Sequence, residues 1–316
     1  MSVPDLHFGA ALATGAEDVA RQARWMEELG YEYFAAGEHY MRGDPPGPTH
    51  ASLPVLGVAA GATEKIRLLS SILLVPFYQP LVLARLTASL DVASGGRFIL
   101  GVGVGGEYPQ EFEAAGLKVN QRGRRTNECL DAVRQLWTGD PVTFEGRHFS
   151  LNGASINPPP TQRPGPPIWV SGRRDAAMER AVAYGEGWMP YFYNPQRYRD
   201  SVAKIRASAE KQGKDLTDFQ WACFPYISIY PTEEEAAVVA ARQLGGQYVY
   251  SGDFINIVRD YCLLGPVESC ISRLQEFIDA GARHIIFSVV CPREDVDRHI
   301  ETIAKEIIPH FQHTSA

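Results

Sequence analysis

The sequence lacks the features that mark membrane, secreted and nucleic-acid-binding proteins. None of its 316 residues belong to a run approaching the roughly 20 apolar residues of a membrane-spanning helix, and the N-terminal MSVPDLHFGAALATG has no basic segment of a signal peptide. The 30 basic and 37 acidic residues give a net charge of -7, and no basic cluster exceeds RGRR or SGRR. We therefore expect a cytoplasmic protein that acts on a small molecule and not on nucleic acid or a membrane.

Cysteine is also scarce. The five cysteines, Cys129, Cys223, Cys262, Cys270 and Cys291, lie far apart and form no C-x-x-C pair, so we expect reduced thiols. The eight histidines show no H-x-x-x-H or H-x-H spacing, and no G-x-S-x-G motif is present. The sequence therefore predicts neither a metal site nor a serine-hydrolase nucleophile.

What the sequence does contain is a regular alternation of strand-like and helix-like segments. Between segments with helical spacing lie eight predicted strands, at 6–12, 31–37, 67–75, 97–104, 167–172, 187–192, 219–230 and 283–290. Several of these strands are apolar on both faces, as parallel strands covered by helices are. The pattern predicts one α/β domain over residues 1–316, a (β/α)8 TIM barrel, with an open doubly wound sheet as the alternative.

Two segments are longer than a minimal barrel needs. Residues 139–166 follow the fourth β-α unit, are rich in proline and glycine, and contain a hairpin-like TFEGRHFSL. Residues 244–265 lie between strands seven and eight. Insertions in barrels commonly shape the active-site mouth, so we expect both segments to border a ligand.

The stretch GVGVGG matches the G-x-G-x-x-G of dinucleotide-binding proteins through Gly101, Gly103 and Gly106. A Rossmann phosphate loop requires a helix directly after the motif and an acidic residue about 20 positions later, beyond a second strand. Here Pro109 delays the helix, and the region that should hold the second strand has helical spacing. In a barrel these glycines, with Gly105, lie at the C-terminal end of strand four, where we expect a close-packed turn.

Residues after strands two and four suggest proton chemistry at the barrel mouth. Glu38 and His39 follow strand two and form a candidate proton-transfer pair, unless His39 is only a hydrogen-bonded structural residue. Glu107 follows strand four, and we expect its side chain to reach the same cavity. The alternative is that Glu107 is an ordinary surface residue.

Strand five leads into Ser171, Gly172, Arg173 and Arg174 at a predicted helix N-terminus. Backbone N–H groups, the helix dipole and two guanidinium groups together favour phosphate binding, whereas a helix cap alone would explain only Ser171. Trp188, in strand six, is a candidate wall for an aromatic ligand, with core packing as the alternative. These features favour a flat, phosphorylated organic cofactor.

The run LDVASGGRFILGVGVGGEYPQEFEAAGLKVNQRGRRTNECLDAVRQLWTG resembles the signature region of the bacterial luciferase-like family of flavin-dependent and coenzyme F420-dependent oxidoreductases. That region carries S-G-G-R, G-x-G, E-F, R-x-x-R and L-W-x-G in this order. The likeness extends from LHFGAAL through GEHY, SSILLVPFYQPLVLA and VSGRRDAAMERAVAYGEGW to AGARHIIFSVV, and so covers nearly the whole chain. The resemblance implies a (β/α)8 barrel that binds an isoalloxazine or deazaflavin ring at its C-terminal mouth.

The resemblance also implies where the ring of the cofactor lies. Members often carry a non-proline cis peptide in strand three against which the ring leans, and this peptide would join Ser71 and Ile72. The glycines Gly103, Gly105 and Gly106 would then pack beside the ring.

Further roles are implied for single positions. The cofactor phosphate would bind at the loop after strand five, from Ser171 to Arg173. The proton chemistry would belong to Glu38 and His39, with Glu107 as the acid that follows strand four.

Three activities follow from the resemblance. An F420-dependent enzyme transfers hydride between the deazaflavin and a small organic substrate, whereas an FMN-dependent monooxygenase activates oxygen with reduced flavin from a partner reductase. A non-catalytic flavin-binding barrel is the third. We favour F420, because Arg173 and Arg174 suit a more anionic cofactor tail and the segment from strand three to LWTG is most similar to F420-type members. We expect a homodimer, as is common among relatives.

Overall fold

Strands and helices alternate along the computed structural model, which describes residues 5–13, 18–43, 45–245 and 254–313. The strands are β1 (His7–Ala11), β2 (Tyr33–Ala36), β3 (Arg67–Ser70), β4 (Leu73–Leu74), β5 (Phe98–Gly103), β6 (Val142–Glu145), β7 (Ser150–Ala154), β8 (Ile168–Val170), β9 (Gly187–Trp188), β10 (Gln220–Cys223), β11 (Tyr226–Ile229), β12 (Cys262–Gly265) and β13 (His284–Val289). The helices are α1 (Val19–Glu28), α2 (Ser52–Ala62), α3 (Pro80–Ala93), α4 (Pro109–Ala114), α5 (Arg122–Leu136), α6 (Asp175–Tyr184), α7 (Pro195–Gln212), α8 (Glu233–Gly245), α9 (Phe254–Tyr261), α10 (Val267–Asp279), α11 (Val296–Thr302) and α12 (Ile308–His313). None of these helices is long and apolar enough to cross a membrane.

Eight of the described strands close into a parallel barrel. Their order is β1, β2, β3, β5, β8, β9, β10 and β13, and β13 pairs in parallel with β1. In that closing pair Phe8 lies opposite Ile285. Closure excludes the open doubly wound sheet, whose edge strands stay unpaired. The fold is therefore the predicted (β/α)8 barrel.

Helix α7 shows how local sequence sets the limits of an element. The side chain of Asn194 accepts a hydrogen bond from the backbone N–H of Arg197 at 2.8 Å, and Pro195 occupies the first turn. Gly213 ends the helix in the left-handed conformation, with φ of 64°. An N-cap amide, a proline in the first turn and a glycine after the last turn are the residue types that these positions favour.

Large side chains fill the barrel interior near the N-terminal ends of the strands. The rings of Tyr33, Trp169 and His284 contact one another, and the Tyr33 hydroxyl lies 2.8 Å from Nδ1 of His284. Burial, followed by the charges of His7 and Arg67, lowers the pKa of His284 to about 3, so this ring is neutral. The barrel is thus packed at this end, and space for a ligand remains only toward the other.

The first predicted insertion forms a hairpin but lies away from the mouth. Strands β6 and β7 pair in antiparallel fashion, as predicted. Further along, Gln162 binds the carboxylate of Asp91 and donates to the carbonyl of Phe98, the first residue of β5. These contacts hold the segment against α3 and the N-terminal end of β5. The expectation that residues 139–166 border the ligand is therefore wrong.

The second predicted insertion is more regular than expected. Its residues 246–253 lie outside the described part of the chain, and the rest forms the end of α8, helix α9 and strand β12. Strand β12 pairs in parallel with β11, which itself follows β10 after a break at Phe224. Together β11, α8, α9 and β12 form an outer unit beside the barrel. The unit is joined to the barrel, because Ile227 of β11 pairs with Val289 of β13. This outer unit borders the mouth through the end of α8, which includes Leu244.

Candidate active site

A cavity of about 1120 Å³ opens at the C-terminal ends of the barrel strands. Small residues at the ends of β1, β2 and β5 line its floor: Ala11, Ala36, Gly37 and Gly103. Because these residues carry little or no side chain, a flat ligand can approach the barrel backbone closely. Barrel enzymes place their active sites at this end.

The peptide bond between Ser71 and Ile72, on the cavity floor, is cis, as the resemblance implies. Gly37 packs tightly against it, since a Cβ at this position would lie 2.8 Å from the carbonyl oxygen of Ser71. The hydroxyl of Ser71 is buried and has no hydrogen-bond partner among the described residues. A buried hydroxyl without a partner on a cavity floor fits a ligand that brings a polar atom there.

Close packing within the barrel explains the glycines of GVGVGG. Gly101 and Gly103 belong to β5, where a Cβ on Gly101 would overlap the backbone of β3 and a Cβ on Gly103 would overlap the side chain of Ile72. Gly105 and Gly106 follow with φ of 61° and 102°, values that other residues rarely adopt. The predicted close-packed turn is confirmed, and no helix begins at the motif.

The ring of His39 is held by Glu111. Its Nδ1 lies 3.1 Å from Oε1 of Glu111, which also accepts the backbone N–H groups of Tyr40 at 2.7 Å and Met41 at 2.9 Å. Burial alone would raise the pKa of Glu111, but the hydrogen bonds from His39, Met41 and Tyr40 hold this pKa below its ordinary value. The ionised carboxylate requires a proton on Nδ1 of His39, which leaves Nε2 for proton exchange in the cavity.

Glu111 is the residue of this dyad that the sequence analysis missed. The sequence feature that could have pointed to Glu111 is the E-F pair of the family-like run, which lies within α4. Glu111 is, however, 72 positions away from His39 along the chain. Only the closed barrel brings α4 beside the loop after β2. The side chain of Glu111 is fully buried, whereas 22% of the His39 side chain is exposed and lines the cavity.

Glu38, the predicted partner of His39, instead binds the surrounding barrel. Its carboxylate accepts the N–H of Leu74 at 2.8 Å, the hydroxyl of Tyr78 at 3.0 Å and the N–H of Ser52 at 3.3 Å. Only 5% of Glu38 is exposed, and this burial raises its pKa. The carboxylate therefore ties the end of β2 to β4 and α2, and the predicted Glu38–His39 pair is replaced by the pair of His39 and Glu111.

The loop after β8 leads into the N-terminus of α6, as predicted. Ser171 is buried and donates its N–H to the backbone of β5 at 2.8 Å. Gly172 has φ of 138°, and a Cβ there would lie 2.5 Å from that of Ala177. Arg173 and Arg174 complete the loop, and all four predicted residues line the cavity.

Arg173 is already paired with a carboxylate. Its Nη2 lies 3.5 Å from Oε1 of Glu107, and the hydroxyl of Tyr191 donates to the same oxygen. The guanidinium group of Arg173 also stacks over the Tyr191 ring, 4.8 Å from the centroid. The predicted acid Glu107 thus lies at the cavity, joined to the ends of β8 and β9, and it neutralises the arginine that was expected to bind phosphate.

Two arginines that the sequence analysis did not single out line the cavity, and one of them, Arg122, lies beside Gly106. Arg180 of α6 is 8% exposed and donates from Nε to the amide oxygen of Asn127 at 2.6 Å. Arg122, at the start of α5, donates to the carbonyl of Val119, and its Nε is buried without a partner in the described ranges. Burial, together with the positive charge of Arg122, lowers the pKa of Arg180. Two neighbouring, partly buried cations favour an anion between them.

Trp188 lies beneath the loop after β8 and not at the cavity surface. Its side chain is fully buried, its Nε1 donates to the carbonyl of Gly172 at 3.2 Å, and its ring packs on Tyr193 and Tyr198. The prediction of a direct ligand contact is therefore corrected, since Trp188 supports the loop from the core. Tyr191 provides an aromatic ring at the cavity itself.

All five cysteines are free, four of them buried and Cys291 partly so. Within the described ranges, no three or more His, Cys, Asp or Glu side chains come together as a metal site.

Known proteins resemble this chain along most of its length. The sequence profile described as "Luciferase-like monooxygenase" matches residues 2–284. The chain is 27% identical to the F420-dependent glucose-6-phosphate dehydrogenase of Nakamurella multipartita, over 99% of this chain and 98% of that protein. It is 29% identical to the FMNH(2)-dependent dimethylsulfone monooxygenase of Pseudomonas putida, over 70% of this chain and 60% of that protein. A solved structure of an F420-dependent secondary alcohol dehydrogenase in complex with an F420-acetone adduct superposes with a TM-score of 0.85 at 22% identity, covering 97% of this chain and 99% of that one.

Proposed function

Because this chain belongs to the luciferase-like monooxygenase family, whose profile matches residues 2–284, we propose that it is an oxidoreductase that uses coenzyme F420 to transfer hydride to or from a small organic substrate. Relatives of the chain use F420 or FMN, so a deazaflavin or flavin cofactor is common to both. The choice of F420 is our proposal.

The observation that carries this choice is the cationic side of the cavity. Arg122, Arg174, Arg180 and Arg197 line it between α5, α6 and α7. The carboxylate of Glu107, on the same side, is already paired with an arginine of its own. An excess of guanidinium groups suits a cofactor with several negative charges in its tail better than one with a single phosphate.

The residues of the cavity fit such a cofactor. The glycine and alanine floor, with the unpartnered hydroxyl of Ser71, would hold the flat ring beside Gly103 and Ile72. Arg122 and Arg180, with the N-terminus of α6, would hold the phosphate. When bound, the deazaflavin would supply hydride transfer at its ring.

The proton chemistry of the reaction would belong to His39. Its Nε2 would take the proton from a substrate hydroxyl, or return it to a carbonyl oxygen, at the cavity floor. The ionised Glu111 stabilises the positive ring that forms and keeps Nδ1 protonated. Glu107 would orient the substrate from the other side, with Tyr191 holding its carboxylate in place.

FMN remains the second candidate, because the likeness to an FMNH(2)-dependent monooxygenase spans 70% of this chain. In that case Arg122 and Arg180 would bind the single phosphate, and a separate reductase would supply the reduced flavin. A non-catalytic flavin-binding barrel is less well supported, since such a protein has no need for the His39–Glu111 dyad.

Separate titrations with F420 and FMN test the proposal. Cofactor or tryptophan fluorescence reports binding, and the phosphate-free forms, the ribityl deazaflavin and riboflavin, serve as matched probes. We expect F420 to bind at least 10-fold more tightly than FMN and than its own phosphate-free form. Tight binding of FMN alone would contradict the F420 proposal and identify a monooxygenase that needs a reductase.

Replacing Arg122 by Ala tests the phosphate site. We expect a loss of about 1–3 kcal/mol in F420 binding, the usual range for a charge-assisted contact, and no loss for the phosphate-free form. Arg199→Ala is the matched control, because Arg199 lies on the exposed surface of α7 and contacts Gln196. If both cofactor forms lost equal affinity, the cofactor phosphate would have to bind at a site other than Arg122.

We also propose that the protein is a homodimer. Large exposed apolar side chains are concentrated on two neighbouring helices, α2 and α3, and they are 39–51% exposed: Val58, Leu81, Val82, Leu86 and Val92. Helix α2 carries no charged residue, and Arg85 is the one charged residue on the exposed face of α3. A second copy of the same apolar face is the partner that fits it, in a two-fold contact.

A further inference from the structure

One wall of the cavity differs in chemistry from its cationic side. A hydrophobic cluster separate from the main core is built from β11, β12, α8 and α9. It reaches the cavity through Phe224, Tyr226, Leu244 and Val290, which all line it. Of these four side chains, three are nearly fully buried, so their exposed atoms face the cavity and not bulk solvent. We call these four residues the apolar wall.

Aromatic packing holds the apolar wall in place. The rings of Phe224 and Tyr226 meet edge to face, with centroids 6.0 Å apart, and Phe192 packs on Tyr226 at 4.7 Å. Met189 and Val289 extend the apolar surface at the ends of β9 and β13. A wall braced in this way presents a fixed shape to a ligand.

The charged residue beside the apolar wall is Arg293, and it is paired with an acidic side chain. Arg293, after β13, lies 3.4 Å from the carboxylate of Asp18. Burial raises the pKa of Cys291 to about 12, so its thiol is neutral at physiological pH. Three described residues that flank the wall, Gln243, Ser288 and Cys291, line the cavity with an uncharged amide, hydroxyl and thiol.

We propose that the substrate is a neutral, largely hydrocarbon compound, ring-bearing and with one hydroxyl or carbonyl oxygen, whose body packs on the apolar wall. A carboxylate or phosphate buried against Phe224 and Leu244 would lose its hydration and would have to compete with Asp18 for Arg293. The neutral amide of Gln243 can donate to or accept from an uncharged oxygen. The arginines of the opposite side are left to the cofactor. This inference rests on the proposed function and specifies its substrate.

Three probes of similar size test this substrate class: benzyl alcohol, benzoate and xylitol. Binding is measured by saturation-transfer NMR and calorimetry, on the protein alone and on the protein loaded with its cofactor. On the loaded protein, in which the cofactor occupies the arginine side, we expect benzyl alcohol to bind at least 10-fold more tightly than benzoate, and xylitol to bind more weakly than both. Benzoate or xylitol binding the loaded protein as tightly as benzyl alcohol, or absence of benzyl alcohol binding to it, would overturn the inference.

Two variants locate the subsite. Phe224→Ala and Leu244→Ala should each weaken benzyl alcohol binding at least 5-fold while leaving cofactor affinity within 2-fold. Val238→Ala is the control, because Val238 lies on α8 like Leu244 but is 49% exposed on its outer face. Thermal unfolding of each variant shows whether it is folded, and the double variant Phe224→Leu with Leu244→Met keeps the wall apolar and should retain binding.

The two proposals fail in different ways. If neither F420 nor FMN binds, the proposed function is wrong, but the effect of Phe224→Ala and Leu244→Ala on benzyl alcohol binding is still measured on the protein alone. If a cofactor binds and the variants of the apolar wall leave benzyl alcohol affinity unchanged, the function stands and the substrate class is wrong.

Discussion

At the scale of single residues, the dyad of His39 and Glu111 is the feature with the clearest consequence. Glu111→Gln keeps the size of the side chain but removes the charge that stabilises a protonated His39 ring. We expect kcat to fall on the order of 10- to 100-fold, less than on removal of a general acid or base itself, with cofactor affinity unchanged. Turnover kinetics and the cofactor titration check this, with His39→Gln as the benchmark. An equal loss of cofactor affinity would mark Glu111 as merely structural.

The same carboxylate gives the protein a pH-dependent stability. The pKa of Glu111 is lowered on folding, so its contribution is present above the unfolded value near 4.5 and is lost as the pH falls through the lower, folded value. Urea unfolding of the wild type should therefore show stability falling on acidification in this window, and Glu111→Gln should show a shallower fall.

Glu38 is expected to matter for stability and not for chemistry. Its three hydrogen-bond donors come from Leu74, Ser52 and Tyr78, and in Glu38→Gln an amide NH2 would face at least one of them. We expect a loss of about 1–3 kcal/mol in the free energy of unfolding, with turnover per folded molecule changed less than about 3-fold. Denaturant unfolding and active-site titration separate the two effects. A proton carrier would show the reverse: normal stability and lost turnover.

At the scale of elements, β5 depends on the absence of a side chain at one position. A Cβ on Gly101 would overlap the backbone of β3, and backbone moves less readily than a flexible side chain. Gly101→Ala should therefore destabilise the barrel by about 3 kcal/mol or more. Gly57→Ala is the matched control, because Gly57 lies in α2 and a Cβ there would have no neighbouring atom within 4 Å. It should be neutral or stabilising by about 0.5–1 kcal/mol.

The elements also show where sequence patterns were ambiguous. The run from 219 to 230 was predicted as one strand, but it breaks near Phe224 into β10 and β11, which take different partners. Strand β12 is only four residues long, so its apolar run is too short to be distinguished from a loop in an insertion. The extended conformation of β12 depends on its pairing with β11. This pairing arises from the tertiary structure and cannot be recognised from the local sequence.

At the scale of the whole molecule, the apolar face of α2 and α3 predicts the oligomeric state. The double variant Val82→Lys with Leu86→Lys would bring like charges together across a two-fold contact. We therefore expect this variant to be monomeric at micromolar concentration. Light scattering measures the mass. The control, Val238→Lys, changes an equally exposed position on α8 and should leave the dimer intact. A monomeric wild type would refute the proposed interface.

The sequence by itself determined the eight-fold β-α alternation, the family and a set of candidate site residues that, except for Trp188, line the cavity. The apolar runs, the glycines of GVGVGG and the loop from Ser171 to Arg174 follow from local periodicity and local backbone needs, and these can be recognised in a linear pattern. The cis peptide at Ser71 was also anticipated, through the likeness of its segment to the family.

Only the tertiary structure decided which charged groups are partners. His39 joins Glu111 across 72 positions, Glu107 engages Arg173, and Arg122 lies beside Arg180, because closing the barrel brings loops from distant strands to one mouth. The burial of Trp188 likewise depends on the tertiary structure, because the rings of Tyr193 and Tyr198 pack on its side chain. Hydrogen bonds and ion pairs are short-ranged, so their formation depends on distances in the fold and not on spacing along the chain.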